Sequence, residues 1–345
     1  MNSEQTKHIG DLLRLYIINM YPIKFKPILK QHIWGGEALL DMKKGQRLRV
    51  DKSKVYGESW DVSGIDGNIS IISNGFFKGN NLQEAIEVYM SELVGEGVFE
   101  QYGIEFPLLL KTLHCKERTS VQVHPDDNLA AERHDSCGKT EMWYIVDAEP
   151  DALLYIGFKD PNITREQYIE AVAGGTIADI IEPVSVKAGD AFLIPSGTVH
   201  SISGGVTLIE IQQPVDLTYR IFDWNRVDSN GKARELHTAY AVDAIDFSST
   251  AANCKRNYTA RINEATEIAS CDYFTCNILK IEGITERNIS SLDSFVLYYC
   301  TEGNAEIITD DGIESITRGE VILIPADSNE ITIKGTATLL EYYVG

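Results

Sequence analysis

The sequence predicts a mainly β protein built from two barrels with a small helical cover. Short runs rich in β-branched and aromatic residues recur along most of the 345 residues, with turn residues between them. Many short strands at such spacing are typical of β-sandwiches and barrels. One sequence pattern also occurs twice, which indicates that the same β unit is used twice.

The repeated pattern begins with a glycine and an acidic residue and continues into an Ile-Pro pair. The first copy is GDAFLIPSGTVHSI from Gly189, and the second is GEVILIPADSNEIT from Gly319. The copies diverge after the proline, where His200 of the first copy corresponds to Glu330 of the second. We therefore expect the second barrel to be a degenerate copy without a metal-binding histidine.

These patterns divide the chain into three segments. Residues 1–21 form an N-terminal lead-in, and Met20 is an alternative start because the organised pattern begins near it. Residues 22–255 hold the first barrel with a short helical insertion. Residues 256–345 hold the degenerate barrel, after a polar and weakly periodic stretch that marks the boundary.

The few helices are predicted from their caps. Asn81 and Glu84 have the spacing of a capping box, and Gly95 is the expected stop. The same arrangement recurs in TREQYIEAVAGG, residues 164–175, and a further short helix is expected from Thr176. We expect these helices to cover the β core.

Composition excludes several classes of protein. The formal net charge of −20 argues against nonspecific binding to nucleic acid or to an anionic membrane. The sequence contains no run of about 18 apolar residues, so no membrane helix is predicted. The N-terminal stretch is interrupted by Arg14 and lacks the features of a secretory signal. Six cysteines without a CxxC pair are expected to be free thiols in a reducing cytoplasm.

Two stretches place metal-capable side chains on alternate residues of predicted strands. RTSVQVHPDD carries Gln122 and His124, and GKTEMWYIV carries Lys139 and Glu141. Alternate residues of a strand project to the same face. Each stretch is therefore expected to present two polar side chains to one side of its sheet.

The first copy of the repeat supplies a further ligand. The spacing from Gly189 through Pro195 and Gly197 to His200 matches the second motif of cupin barrels, with Gly204 where that motif usually has Asn. Cupins normally carry His-x-His in their first motif, and a glutamine here replaces the first histidine. The predicted ligands of one Zn²⁺ per chain, with room for water or substrate, are Gln122, His124, Glu141 and His200.

Several stretches together resemble the type I phosphomannose isomerases (mannose-6-phosphate isomerases) of the short bacterial form. They are spread along the chain and read HIWGG, GESWDVS, PLLLKTL, SVQVHPDD, GKTEMWYI, IPSGTVHSI and DLTYRIFDW. The resemblance implies two cupin jelly-roll barrels with a modest helical cover. It makes the first barrel the catalytic domain.

The resemblance also implies an activity in carbohydrate metabolism, the interconversion of D-mannose 6-phosphate and D-fructose 6-phosphate. An aldose and a ketose exchange through a cis-enediol, which zinc would stabilise as a Lewis acid. A general acid–base must move the proton between C2 and C1. The implied partner is thus a small phosphorylated sugar, and the chain is expected to act as a monomer or small homo-oligomer.

Five residues fall on positions that the family uses in its pocket. Arg220 in DLTYRIFDW matches the catalytic arginine, whose permanent charge could hold the developing enediolate. Lys139 and Glu210 are the other implied catalytic residues, and a structural carboxylate is the alternative role for Glu210. Lys111 and Ser120 are the implied substrate-binding residues and are expected to help seat the phosphate, with Lys139 near the reacting end or the phosphate.

Two other functions remain open for a metal-bearing cupin. A protein that only binds or senses a sugar would keep the metal ligands but would not need Arg220 and Lys139. An Fe²⁺ oxygenase would prefer three histidines, or two histidines and a carboxylate, with open positions for O₂. Gln122 and the pocket for a phosphorylated sugar argue against an oxygenase.

Overall fold

The computed structural model describes residues 20–345 except 47, 49, 52 and 228–230. The predicted lead-in therefore lies outside the described residues, apart from Met20 and Tyr21. Strands predominate over helices in the described part, which confirms the predicted mainly β class. All six cysteines are free thiols.

Twenty strands form the framework of the described chain. The first ten are β1 Ile23–Lys26, β2 Ile28–Gln31, β3 Tyr56–Ser63, β4 Ile71–Ile72, β5 Leu109–Cys115, β6 Val121–Val123, β7 Glu141–Ala148, β8 Leu153–Phe158, β9 Ile181–Ser185 and β10 Ala191–Ile194. The other ten are β11 His200–Ile202, β12 Val206–Gln212, β13 Tyr219–Phe222, β14 Lys255–Arg256, β15 Ala265–Ser270, β16 Thr275–Asn288, β17 Val296–Thr309, β18 Gly312–Thr317, β19 Val321–Ile324 and β20 Glu330–Tyr343.

The helices are short and lie between strands. They are α1 Ala38–Lys43, followed by the 3₁₀ turn Lys44–Gln46, and then α2 Leu82–Tyr89, α3 Ser91–Val94, α4 Glu96–Tyr102, α5 Asp127–His134, α6 Arg165–Ala173, α7 Ile177–Ile180, α8 Thr238–Ala244 and α9 Ala251–Cys254. Among the described helices, none has the length and apolar character needed to cross a bilayer.

The predicted caps explain where two of these helices begin. Asn81 and Glu84 form a capping box at the start of α2, and Thr164 and Gln167 form another at the start of α6. The helix capped by Asn81 ends earlier than predicted, because Met90 adopts a positive φ of 48° and divides the predicted helix into α2 and α3.

The strands assemble into three antiparallel sheets. A seven-stranded sheet has the order β14-β10-β7-β12-β5-β3-β2, and a five-stranded sheet has the order β13-β6-β11-β8-β9. The third sheet has the order β15-β16-β20-β17-β19-β1-β4, with β18 paired to β17. The N-terminal strand β1 thus pairs with β19 near the other end of the chain. The division at residues 255 and 256 remains a prediction.

The two copies of the repeat occupy equivalent places in the sheets. In the first copy β10 pairs with β7, and Phe192 lies opposite Trp143. In the second copy β19 pairs with β17, and Ile322 lies opposite Tyr298. The following long strand pairs beside the same partner in both copies, β12 with β7 and β20 with β17. The repeated sequence therefore corresponds to a repeated pairing of strands.

Glycines allow the long strands β17 and β20 to approach closely. A Cβ atom at Gly303 would lie 2.1 Å from the Thr336 carbonyl oxygen, and one at Gly335 would lie 2.4 Å from the Asn304 carbonyl oxygen. Both glycines have positive φ, 74° and 154°. A side chain at either position would force these strands apart.

Separate apolar clusters hold the sheets together. The largest joins the seven-stranded sheet to the C-terminal sheet, with Val62, Leu110 and Ile211 from the former and Leu297 and Leu340 from the latter. A second lies between the seven-stranded and five-stranded sheets, and a third packs the five-stranded sheet against helices. The polar site described below lies beside the second cluster.

A buried ion pair also joins the seven-stranded sheet to the C-terminal sheet. Lys43 at the end of α1 lies 2.7 Å from the Asp61 carboxylate of β3, and both side chains are almost wholly buried. The lysine also donates to the Gly319 carbonyl oxygen (2.7 Å) and the Tyr299 hydroxyl (3.1 Å). Burial lowers the pKa of Lys43, against the opposing effect of Asp61. Thr112 completes the network by donating to Asp61 (2.6 Å).

Removing one partner of this pair is expected to destabilise the fold strongly. Asp61→Ala leaves the Lys43 charge buried without its carboxylate, which typically costs about 3–5 kcal/mol. The double variant Lys43→Met, Asp61→Leu should recover most of that loss, since apolar replacements of both partners are often neutral. Urea unfolding of the three proteins measures the difference. Equal stability of Asp61→Ala and the unmodified protein would contradict the assignment.

Candidate active site

The five-stranded sheet presents a row of polar side chains on one face. Its register places Arg220 of β13 opposite Gln122 of β6, and Gln122 opposite His200 of β11. Residues directly opposite on neighbouring strands project to the same face. The predicted arginine, amide and imidazole therefore lie side by side.

The seven-stranded sheet presents a second row. Its register pairs Trp143 of β7 with Glu210 of β12, and Glu210 with Lys111 of β5. Glu141 shares a face with Trp143 because it lies two residues before it in the same strand. This row thus carries both carboxylates predicted from sequence.

The two rows border one polar cavity of about 300 Å³. Most of the predicted site residues line it, together with residues of the loops and of β3. The lining residues are His32, Trp34, Glu58, Lys111, Leu113, Thr119, Ser120, Gln122, Lys139, Trp143, Ile202, Glu210, Asp216, Thr218, Arg220 and Arg234.

Three predicted metal ligands converge at the inner end of this cavity, buried behind its lining residues Gln122 and Lys139. Glu141 Oε2 lies 3.5 Å from His124 Nε2, and Glu141 Oε1 lies 3.4 Å from His200 Nε2. These three side chains are at most 1% exposed. Their candidate ligand atoms lie within 4.8 Å of one another, close enough to share one cation.

The backbone sets the tautomer of both histidines. The Nδ1 atom of His124 lies 2.9 Å from the Leu217 carbonyl oxygen, and Nδ1 of His200 lies 2.9 Å from the Thr198 carbonyl oxygen. A carbonyl oxygen only accepts, so each Nδ1 must carry the proton. Each neutral ring then directs its Nε2 lone pair towards Glu141. Carbonyl partners of this kind commonly orient metal-binding histidines.

The electrostatics of the cluster suit a cation. Burial and the nearby Lys139 lower the pKa of His124 to about 3, and burial lowers the pKa of His200. Burial alone would raise the pKa of Glu141, but Lys139, His124 and His200 together outweigh burial and hold it well below its usual value. Neither Glu141 oxygen accepts a hydrogen bond of good geometry. Two lone pairs and an ionised carboxylate therefore face one point, and these residues fit a bound metal ion.

Gln122 lies beside this cluster with its amide nitrogen towards His200. Its Nε2 atom lies 3.1 Å from His200 Nε2, and its Oε1 accepts from the Ser120 hydroxyl at 3.3 Å. A 180° turn of the amide would exchange the two atoms. Gln122 can therefore offer an oxygen to a cation at His200 without moving its backbone.

Lys139 provides the positive charge closest to the cluster. Its Nζ lies 2.7 Å from Glu141 Oε2, 3.1 Å from His124 Nε2 and 3.9 Å from Glu210 Oε1. The lysine precedes β7 and is 5% exposed. It thus lies between the two carboxylates that the sequence placed in the site.

The second row is held by its own hydrogen bonds. Glu210 accepts from the Trp143 indole N–H at 2.9 Å and lies 3.1 Å from Lys111 Nζ. Burial and the neighbouring Glu141 raise the pKa of Glu210. Burial alone would lower the pKa of Lys111, but Glu58 and Glu210 outweigh it and raise that pKa. The carboxylate and the ammonium are therefore fixed in mutual contact.

The C-terminal sheet repeats this arrangement without metal ligands. Glu341 accepts from the Tyr298 hydroxyl at 2.7 Å and from the Asn277 amide at 2.8 Å. The strand pairing makes Glu341 the counterpart of Glu210. It likewise makes Tyr298 the counterpart of Trp143, and Asn277 the counterpart of Lys111. Arg287 adds a two-pronged ion pair to Glu341, with hydrogen bonds of 2.7 and 2.9 Å.

Arg220 is held by hydrogen bonds to the chain segment that follows β13. It donates from Nη1 to the Glu235 carbonyl oxygen at 2.7 Å, and its backbone N–H donates to His237 Nδ1 at 3.1 Å. Its Nε atom is buried and lacks a hydrogen-bond partner. Burial, together with the nearby Arg234, lowers the pKa of Arg220. The guanidinium therefore faces the cavity without a carboxylate of its own.

Comparison with known proteins shows the family to which this chain belongs. The family model for the catalytic domain of type I phosphomannose isomerase matches residues 23–151, and the mannose-6-phosphate isomerase cupin domain matches residues 264–344. The putative mannose-6-phosphate isomerase YvyI of Bacillus subtilis is 33% identical over 94% of this chain and 99% of its own length. This chain belongs to the type I phosphomannose isomerase family. ManA of the same organism, a mannose-6-phosphate isomerase, is also 33% identical, over 92% of this chain and 96% of its own.

Solved structures of phosphomannose isomerases share the fold. The crystal structure of mannose 6-phosphate isomerase from Bacillus subtilis has a TM-score of 0.83 at 32% identity and covers 94% of this chain and 100% of its own. A putative mannosephosphate isomerase from Archaeoglobus fulgidus has a TM-score of 0.75 at 18% identity, over 95% of this chain and 98% of its own. The cupin fold expected for this family is thus confirmed.

The structure brings the nine site residues predicted for this phosphomannose isomerase together around one cavity. Six of them line the cavity, and His124, Glu141 and His200 form the buried cluster beside it. Several other lining residues were not predicted from the sequence, because their side chains reach the cavity only through the folded arrangement of the strands. The clearest examples are Glu58, Trp143, Asp216 and Arg234.

The sequence did contain a pattern that could have identified Glu58 as a site residue. It lies in GESWDVS two residues before Trp60, so alternation places both on one face of β3. In the structure it accepts from the Trp60 indole at 2.7 Å and lies 3.3 Å from His32. Burial alone would raise the pKa of Glu58, but Lys111 and His32 outweigh burial and hold it well below its usual value.

Proposed function

We propose that this phosphomannose isomerase interconverts D-mannose 6-phosphate and D-fructose 6-phosphate with one zinc ion. The observation that carries the proposal is the convergence of two oriented histidines and a buried carboxylate on one point of a cavity rich in cationic groups. A protein that only senses a sugar would need the cavity but not the charges set around its inner end. Family membership supports the same reaction.

The metal is assigned to the cluster of His124, Glu141 and His200, with Gln122 as fourth ligand after its amide turns. Two imidazoles and a carboxylate suit zinc, and a neutral amide oxygen would be a fourth ligand that leaves room for water or substrate. When bound, zinc acts as a Lewis acid towards the oxygens of the sugar, contributing several kcal/mol. The N–H groups of Lys139 and Gln122 that now face the histidines would then turn to other partners.

The charge around the metal cluster is consistent with a bound cation. Two ammonium groups lie at most 3.9 Å from three carboxylates, which leaves an excess of negative charge while the histidines are neutral. A bound cation would offset that excess and lower the cost of burying the carboxylates. The groups are Lys111, Lys139, Glu58, Glu141 and Glu210.

Three residues are proposed to act in the reaction. Arg220 lies beside Gln122 and holds the negative charge that develops on the enediolate, because its guanidinium is permanently charged. Lys139 and Glu210 lie 3.9 Å apart at the inner end, where protons leave C2 and return at C1. The position of Glu210 between Lys111 and Trp143 fixes its carboxylate for that task.

Lys111 and Ser120 are the proposed substrate-binding residues. Ser120 lies on the same face as Gln122 and already donates a hydrogen bond to it. Lys111 is bound to Glu210 and close to Glu58, so its remaining N–H groups can reach sugar hydroxyls. Both residues line the cavity next to the metal cluster.

A coupled isomerase assay tests the proposal. Purified protein should convert mannose 6-phosphate to fructose 6-phosphate, lose activity after dialysis against a chelator, and regain it with one equivalent of Zn²⁺. Because two histidines and a carboxylate also suit Fe²⁺, the restoration series should include Fe²⁺ with oxygen uptake as a second readout. Full activity in chelator, or oxygen uptake without isomerisation, would refute the proposed function.

A further inference from the structure

We propose that Arg234 binds the phosphate group of the substrate and makes the enzyme prefer a phosphorylated sugar. This inference rests on the proposed function and extends it to a residue that the sequence reasoning did not nominate. Arg234 lines the same cavity as the metal cluster and Arg220. A hexose 6-phosphate places its phosphate away from the reacting carbons, so the phosphate requires a cation away from the metal.

The strand β13 and the segment after it position Arg220 and Arg234. Arg220 lies opposite Gln122, in the row that leads to the metal cluster. Asp223 follows the end of β13, three residues after Arg220, and anchors Arg234. Arg234 therefore joins the lining of the cavity from the segment that follows β13, whereas the candidate metal ligands are carried by β7, β11 and the end of β6.

The chain that carries Arg234 is fixed against this strand at several points. The Arg234 guanidinium donates to Asp223 from Nε at 2.8 Å and from Nη2 at 2.5 Å. His237 donates its backbone N–H to the Arg220 carbonyl oxygen at 2.7 Å, and Val227 bridges to Ala233. The guanidinium is thus placed before a ligand arrives, which lowers the entropic cost of binding.

The balance of charge differs along the cavity. Lys111 and Lys139 are paired with the buried carboxylates described above. Arg220 and Arg234 also line the cavity, close enough that Arg234 helps to lower the pKa of Arg220, and Arg234 is paired with Asp223. A phosphate monoester carries a charge of about −1.5 to −2 at neutral pH, so it is attracted to these two guanidiniums.

Arg234 can bind phosphate while it remains paired. A guanidinium has five N–H donors in a rigid fork, and Asp223 accepts from two of them. Arginine forks match the spacing of phosphate oxygens and bind them in two-pronged fashion. Asp223 therefore orients the arginine, and the other N–H groups are the ones that face the ligand.

Arg226 provides a matched control. It also pairs with Asp223, and it donates to the Arg118 carbonyl oxygen. Unlike Arg234, it does not line the cavity. Arg226→Gln and Arg234→Gln thus remove the same charge and an ion pair with the same carboxylate, but only the second removes a group from the site.

The test compares steady-state kinetics and inorganic phosphate binding of the zinc-loaded variants. Arg234→Gln should raise KM for mannose 6-phosphate about 10–100-fold with kcat nearly unchanged, the loss expected for a hydrogen bond to a charged group. The inhibition constant for inorganic phosphate should rise by the same factor. Arg226→Gln should leave both constants near their original values. Arg234→Lys, which retains the charge and can keep the pair with Asp223, should restore part of the affinity.

Unchanged KM and phosphate inhibition in Arg234→Gln, or equal changes in both glutamine variants, would overturn the inference. Calorimetric titration with inorganic phosphate gives the same comparison without turnover. If the unmodified protein bound phosphate through Arg234 but did not isomerise mannose 6-phosphate, the proposed function would fail and the phosphate site would stand. If it isomerised the sugar with Arg234→Gln unaffected, only the phosphate site would fail.

Discussion

A His200→Ala variant is expected to lose its metal ion and nearly all isomerase activity. His200 supplies one of two Nε2 lone pairs that face Glu141, and its own Nδ1 is committed to the Thr198 carbonyl oxygen. Without it, His124 and Glu141 remain as the strong ligands, fewer than zinc sites normally use. Loss of several kcal/mol of Lewis-acid stabilisation corresponds to about a 10³-fold fall in kcat. Metal analysis of the purified variant should show far less than one equivalent.

His134→Ala is the control for this variant. His134 lies at the end of α5, is exposed, and contacts the Tyr219 hydroxyl at 2.7 Å rather than the cavity. It should retain one metal ion per chain and most of its activity. Stoichiometric metal in both histidine variants would mean that His200 is not a ligand.

Arg220→Ala is expected to lower kcat about 10²–10³-fold while the metal content and melting temperature stay nearly unchanged. The arginine contacts the Glu235 carbonyl oxygen and no metal ligand atom directly, so its loss should leave the inner cluster intact. It stabilises charge that the ground state lacks, and removing one such group typically costs that factor. Steady-state kinetics and thermal unfolding of the same preparation measure both effects.

Arg220→Lys separates charge from geometry. An ammonium keeps the positive charge but lacks the planar fork, so we expect only part of the lost kcat to return. The catalytic role of Arg220 would be contradicted if Arg220→Ala had a normal kcat, or if it lost activity only because it unfolded. In either case Arg220 would be a structural residue.

Local patterns were sufficient to predict which residues form the candidate metal cluster. Alternation along β6 placed Gln122 and His124 on one face, and the glycine-to-histidine spacing of the repeat placed His200 at the start of β11. These inferences need only the geometry of a strand and a turn. The orientation of the Gln122 amide could not be predicted, because it depends on hydrogen bonds to Ser120 and His200 from separate strands.

Contacts between distant segments were beyond the reach of sequence patterns. Lys43 and Asp61 read as ordinary charged residues, yet packing buries them together with Tyr299, far along the chain. The pairing of β1 with β19 likewise depends on how the sheets come together. Arg234 was missed for the same reason, since only the folded chain returns it to Asp223. Sequence patterns report periodicity within an element, whereas these contacts are set by tertiary packing.

The repeat also provides a counterpart for Glu210 in the C-terminal sheet. Its counterpart Glu341 makes equivalent contacts in a sheet where no ligand histidine occupies the corresponding positions among the described residues. A buried carboxylate held by a cross-strand aromatic donor is therefore part of the repeated unit itself. In the first copy the cationic partner is Lys111, and the metal cluster lies beside it.

Anomalous diffraction at the zinc edge from crystals of the active, zinc-restored protein tests the central claim most directly. We predict one strong peak per chain, about 2.0–2.2 Å from His124 Nε2, His200 Nε2 and a Glu141 oxygen, with the Gln122 amide oxygen turned towards it. A peak at another place, or a second full peak in the C-terminal sheet, would contradict the account.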